Sequence, residues 1–193
     1  MNDFFRTFSD DASLSHPGGL ELTKRMIRQA RLAGWLHKKA HLIDLGCGSG
    51  NTVSYLNSHG YYAVGVDSTP PLDSPDLIIG DASALPWPDD TFDCAITEFS
   101  LSSIGIEKAV PEIRRVLKPG GILFISDLFP SGLRPSWTEK YGFQVLHLEN
   151  DTSYLKTYLN EWITRNPSRR NEAQNLFLDD AGYYSVIMQK NKI

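Results

Sequence analysis

Apolar residues fall along this chain in two rhythms. Leu22, Met26, Ile27, Ala30 and Ala33 recur at the spacing of one helical face. Gly34, then His37, Lys38 and Lys39, bring a breaker and positive charges suited to that helix's C-terminus. The helix is expected to pack beside the carboxyl edge of the first strand, which Leu42, Ile43 and Leu45 mark as short and buried. A second helix runs from Asn51 to His59 and stops at Gly60. Strand-length apolar runs follow at 62–66, 77–79, 94–97 and 122–125. Before the last of these, Ile106, Val110, Ile113 and Leu117 predict a helix over 106–117, with Pro111 in its first turn and Lys118-Pro119-Gly120-Gly121 as its stop. Strands alternating with helices predict a parallel sheet with right-handed crossovers.

Two stretches break the alternation. Pro70, Pro71 and Pro75 forbid a regular helix between the second and third strands, so an extended loop is expected there. That leaves one flank of the sheet thin and open to a partner chain, a second copy included. Beyond Asp127 come a short segment at 135–141, an apolar run at 143–148, helical stretches near 153–165 and 170–178, and a closing strand at 183–189. At the other end, Phe4, Phe5 and Phe8 precede Ser15-His16-Pro17-Gly18-Gly19. An arm of this kind either docks on the core or, hinged at the glycines, covers a ligand.

The 193 residues, 41% hydrophobic, suit a single domain around one core. It divides into an arm and helix (1–39), a core (40–150), inserted helices (151–180) and a final strand (181–193). A net charge of −4 sets up no global field toward nucleic acid or anionic lipid. Two cysteines make no disulfide framework, and no leader or membrane-length apolar run is present, so a cytoplasmic protein is expected. No cluster has metal-ligand spacing.

Candidate chemistry gathers where the first strand ends, at Asp44-Leu45-Gly46-Cys47-Gly48-Ser49-Gly50. Strand, glycine turn and helix start together let a ligand lie on bare backbone beside free N–H groups. Asp67 ends the second strand, where a carboxylate can accept both hydroxyls of a ribose, and Asp81 follows the third. With these residues in view, the chain resembles the class I S-adenosylmethionine-dependent methyltransferases. DLGCGSG (44–50), GVD (65–67), GDASALPWPDDTFDCAI (80–96) and IRRVLKPGGILFISD (113–127) look like the successive motifs of the small type 11 members. A nicotinamide site is disfavoured, because these glycines are spaced GxGxG rather than GxGxxG.

The resemblance implies a three-layer Rossmann-like α/β sandwich whose seven-stranded, mostly parallel sheet ends in an antiparallel pair. It implies S-adenosyl-L-methionine as cofactor, with S-adenosyl-L-homocysteine as product, held by Asp44, Gly46, Cys47, Gly48, Gly50, Asp67, Ser68, Asp81, Ala82, Glu98 and Phe99. Asp44 would order the loop and reach the methionine amino group, and Asp81 with Ala82 would meet the adenine. Methyl transfer from a sulfonium needs no enzyme nucleophile, so Cys47 is read as a small side chain inside the turn. Glu98 could bind the cofactor's ammonium, attract a cationic acceptor or take its proton; the bland alternative is a strand-end acid. His16 is the histidine placed for catalysis, though a lone histidine is more often structural. Many relatives carry an aromatic or histidine pair near Ser102 and Ser103, and this chain does not. The expected function is methyl transfer to a small-molecule acceptor, without nucleic acid or membrane; the alternative is a non-catalytic cofactor-binding subunit or sensor on the same fold.

Overall fold

The computed structural model describes residues 16–68, 74–130, 137–171 and 181–192. Seven strands form one sheet: β1 (His41–Leu45), β2 (Tyr62–Asp67), β3 (Leu77–Ile79), β4 (Phe92–Glu98), β5 (Leu117–Pro130), β6 (Phe143–Asn150) and β7 (Ala181–Lys190). Their order is β3-β2-β1-β4-β5-β7-β6. The pairs from β3 to β5 are parallel, and β7 runs antiparallel between β5 and β6. β1 is the switch point: the chain leaves it first toward β2 and later returns to its other side as β4. In such sheets the crevice outside the carboxyl ends of the strands takes the ligand.

Both faces of the sheet are apolar, so both need cover. One is covered by α1 (Gly19–Leu32), α2 (Asn51–Ser58) and α6 (Thr152–Arg165), whose Leu22, Met26, Leu56, Leu159 and Trp162 meet Ile96, Phe124 and Ile187 of the strands. On the other lie α4 (Ile106–Val116) and the loop after β3, with Leu85, Val110 and Ile113 against Ile43, Ala95 and Leu123. The loop is helix-free but anchored. Arg115 of α4 donates hydrogen bonds to the carbonyls of Leu85 and Trp87 and to the carboxylates of Asp89 and Glu112.

The structure departs from the sequence reading in three places. Pro111 is the sixth residue of α4 rather than part of its first turn. It has no N–H for the Glu107 carbonyl, and both residues are exposed, so water can take that bond. α1 reaches past the first strand: Thr23 bonds Glu98 of β4 and Arg25 bonds Ser185 of β7. Lys118-Pro119-Gly120-Gly121 is drawn into β5 by pairing with β4 and β7. A 3-10 turn, Pro167–Arg169, follows α6, and most of the helix expected at 170–178 lies outside the described residues, as do residues 1–15. So does most of the loop expected after β2, at 69–73; Ser68 and residues 74–76 carry no helix.

Candidate active site

The three glycines of the first turn divide between two jobs. A Cβ on Gly46 (φ 76) would lie 2.5 Å from Ser100 Cβ, and one on Gly50 would lie 2.6 Å from the Leu77 side chain. Those two are packing requirements. Gly48 (φ 50) faces open space, with nothing within 4 Å of an added Cβ, and its N–H donates to Asp67 Oδ2 at 2.8 Å. The bond brings the second-strand acid to the mouth of the loop. Gly80 N–H donates to the Asp67 carbonyl (2.9 Å), drawing the end of β3 alongside. There Asp81 accepts the Ser83 N–H at 2.8 Å, a bond that holds its carboxyl below the usual range, while Ala82 turns its side chain into the core. Ser68 is exposed beside Asp67.

Cys47 packs against β2, its Sγ 2.6 Å from where a Cβ on Gly65 would stand. Burial, then Asp44 and Asp67, push its thiol up to about 12. It is a spacer and not a nucleophile. Asp44 is buried, and burial followed by the charges of Glu98 and Asp67 drives its carboxyl well above the ordinary range.

Glu98 is the hub of the carboxyl edge. Its buried carboxylate accepts Thr23 Oγ1 at 2.9 and 3.0 Å and Thr52 Oγ1 at 3.2 Å. His16 Nε2 stands 3.4 Å from Oε2, with Nδ1 3.3 Å from the Pro17 carbonyl. The two candidate catalytic residues, 82 positions apart in sequence, are therefore neighbours. Beside them a groove of about 380 Å³ opens between α1 and α2, lined by His16, Leu20, Asn51, Thr52, Ser54 and Tyr55.

Next in the chain, Phe99 has φ 56, uncommon for a bulky residue, and its N–H donates to the Ser126 carbonyl at 2.7 Å. Its ring stands edge-on to Tyr158 and Tyr183, at centroid distances of 5.8 and 6.0 Å. Ser100 Oγ donates to the Leu45 carbonyl (2.8 Å), stapling the end of β4 to that of β1. Buried Asp127 accepts the N–H and Oγ of Ser102 at 2.9 and 2.7 Å, which sets the short helix α3 (Leu101–Ile104).

Thr23, Thr52, Ser100, Asp127 and Tyr183 escaped the sequence reading. For Thr23 a signal existed: it is a polar residue among the buried positions 22, 23, 26, 27 and 30 of α1. The others have no local signature, because their partners are remote in the chain. Tyr158 and Trp162 of the insert are core residues, and Arg169 lies over the Trp162 ring at 5.2 Å, a packed helix end. Among the described residues no group of three or more metal-ligating side chains is found, and no helix is long and apolar enough to cross a membrane.

Comparison with known proteins agrees with this geometry. Residues 43–125 match the family described as Methyltransferase domain, type 11. The uncharacterized methyltransferase YodH of Bacillus subtilis is 29% identical over 154 residues, 71% of this chain and 64% of that protein. The ubiquinone/menaquinone biosynthesis C-methyltransferase UbiE of Escherichia fergusonii is 33% identical over 119 residues, 58% of this chain and 46% of that one. The chain thus spans about half to two thirds of these relatives. Among solved structures, a putative sarcosine dimethylglycine methyltransferase from Galdieria sulphuraria superposes with TM-score 0.71 at 15% identity, covering 90% of this chain and 86% of that one. Phosphoethanolamine N-methyltransferase 2 of Haemonchus contortus, in complex with S-adenosyl-L-methionine, gives TM-score 0.70 at 19% identity, covering 91% and 54%. At such identities these two show the fold alone. The four motifs in order, the seven-stranded sheet ending in an antiparallel strand and the matched domain support a class I S-adenosylmethionine-dependent methyltransferase of the type 11 family.

Proposed function

We propose that this protein transfers a methyl group from S-adenosyl-L-methionine to a small-molecule acceptor. The observation that carries the reading is the crevice at the β1 switch point. It has the open Gly48 backbone tied to Asp67 at one end and the buried carboxylate of Glu98 at the other. The residues fit the cofactor: an uncovered turn for the sugar, an acid for ribose hydroxyls, exposed Asp81 and Ser68 for the adenine, and Glu98 for an ammonium. When bound, the cofactor supplies a methyl carbon activated by its sulfonium. The chain's own residues align the two reactants and exclude water, so a dedicated base is needed only for an acceptor that arrives protonated. Glu98 and His16 are the residues placed to receive such a proton.

Support for a small acceptor comes from a relative whose name refers to ubiquinone and menaquinone biosynthesis. The free cysteines Cys47 and Cys94 support a reducing, cytoplasmic setting. Ile79, 65% exposed on the edge strand β3, supports a partner chain on that flank, a second copy included, which sedimentation would check. The function itself is tested with isotopically labelled methyl donor and a metabolite extract. Label transferred to a small molecule is the expected result; cofactor binding without transfer to any component would refute it.

A further inference from the structure

One row of the sheet is polar where its neighbours are apolar. Glu98 of β4, Ser126 of β5, Ser185 of β7 and Glu149 of β6 are register partners across four adjacent strands. The row before it on the same face is Ile96, Phe124 and Ile187. α1 meets both ends of the polar row: Thr23 bonds Glu98, and Arg25 bonds Ser185 Oγ (3.1 Å), Glu149 (2.9 Å) and Asp151 (2.5 Å). The middle is unmet. Ser126 Oγ lies beside the Tyr183 hydroxyl, yet neither atom has a partner of hydrogen-bonding geometry among the described residues, and both residues are fully buried.

An unpartnered buried hydroxyl is costly, and phenylalanine would fill the Tyr183 position without one. Packing therefore does not explain Tyr183. Its surroundings say what would satisfy it. Burial first pushes the phenol up, the neighbouring Ser126 hydroxyl acts against it, and the negative charges of Glu98, Asp127 and Asp151 push it up further. The guanidinium of Arg25 is already matched by Asp151 and Glu149. The Phe99 ring stands against Tyr183 at a centroid distance of 6.0 Å, so an aromatic side chain borders the hydroxyl. Phe99 holds its place on a left-handed backbone, a conformation that collects at ligand clamps.

Resting on the methyltransferase reading, we propose that the Ser126 and Tyr183 hydroxyls, with Glu98 and the Phe99 ring, form the acceptor subsite, and that it takes a small cationic molecule bearing an amine or ammonium group and a hydroxyl. Phe99 is its gate, and the two hydroxyls position the polar group next to the cationic nitrogen.

The test uses the full chain saturated with S-adenosylhomocysteine, titrated calorimetrically with choline and with its neutral isostere 3,3-dimethyl-1-butanol. Choline should bind and the isostere should bind at least tenfold more weakly. Tyr183→Phe should weaken choline at least tenfold while leaving S-adenosylhomocysteine affinity and the melting temperature unchanged or the latter raised. Ser126→Ala should act in the same direction. Equal binding of the isostere, no choline binding by the wild type, wild-type choline affinity in Tyr183→Phe, or a lowered melting temperature in that variant would each overturn the subsite. Failure of S-adenosylhomocysteine itself to bind would instead remove the methyltransferase reading beneath it.

Discussion

Gly46 and Gly48 stand two residues apart with the same sign of φ, yet their substitution should fail in different ways. A Cβ at Gly46 meets Ser100 at 2.5 Å, so Gly46→Ala should lose stability, seen as a lower urea midpoint. A Cβ at Gly48 has nothing within 4 Å, so Gly48→Val should keep the fold, at a backbone cost of about 1–2 kcal/mol, and abolish S-adenosylhomocysteine binding by calorimetry. Wild-type affinity in that variant would sink the cofactor assignment. If Asp67 takes two ribose hydroxyls in charge-assisted bonds of about 1.5–3 kcal/mol each, Asp67→Ala should weaken binding tenfold or more, with Asp67→Asn between. Asp44 gives a pH signature. Burial raises its carboxyl well above the ordinary 3.8, so the folded state holds a proton that the unfolded state has released. Stability from this residue is intact below 3.8 and declines as pH rises from there toward the raised folded value. Asp44→Asn should therefore gain stability relative to wild type as pH climbs from 4 to 8; a difference flat with pH in urea titrations would contradict the assignment.

Among the elements, α1 decides the shape of the site more than any single strand does. Its N-terminal half carries Thr23 to Glu98, and Arg25 clamps it to β6, β7 and the start of α6 through Glu149, Ser185 and Asp151. Asp151 is buried, so Arg25→Ala leaves a carboxylate without its main partner and should cost about 3 kcal/mol. Because the same helix holds the groove beside Glu98, cofactor affinity should fall with it, and Arg25→Lys should recover part of both. A destabilised variant with unchanged affinity would show that the clamp serves the fold alone. The loop after β3 makes the complementary case. Its prolines and turns carry no helix, and Arg115 holds it by capping two of its carbonyls.

For the molecule as a whole, the open question is what covers the crevice. A sulfonium left open to water and stray nucleophiles would lose its methyl group unproductively, so a cover is required. In the described part of the insert, Tyr158, Leu159 and Trp162 are buried in the core beside α1 residues. The segment ending at His16, whose ring already reaches Glu98, is the cover we expect. Hydrogen exchange across residues 1–16 should slow when S-adenosylhomocysteine is added. Equal protection with and without it rules the cover out.

The sequence by itself determined the strands, the glycine turn and the two acids that follow β2 and β3. Each depends on a local cause: apolar runs of strand length, glycines where the chain must turn, and carboxylates at or just past the end of an apolar run. It likewise marked Cys47 as inert. It misjudged the ends of β4 and β5, because pairing with neighbours, not residue preference, extends a strand. What only the tertiary structure decided is the company of Glu98. Thr23, Thr52 and His16 come from an arm and two helices, and no spacing along the chain predicts that a buried carboxylate will gather them. The polar row from Glu98 to Glu149 is equally invisible in any one strand. It exists because β7 inserts antiparallel between β5 and β6 and brings Ser126 and Ser185 into one register. A buried polar group shows itself along the chain only as an exception to its own element's pattern, whereas its partner is set by how the elements stack.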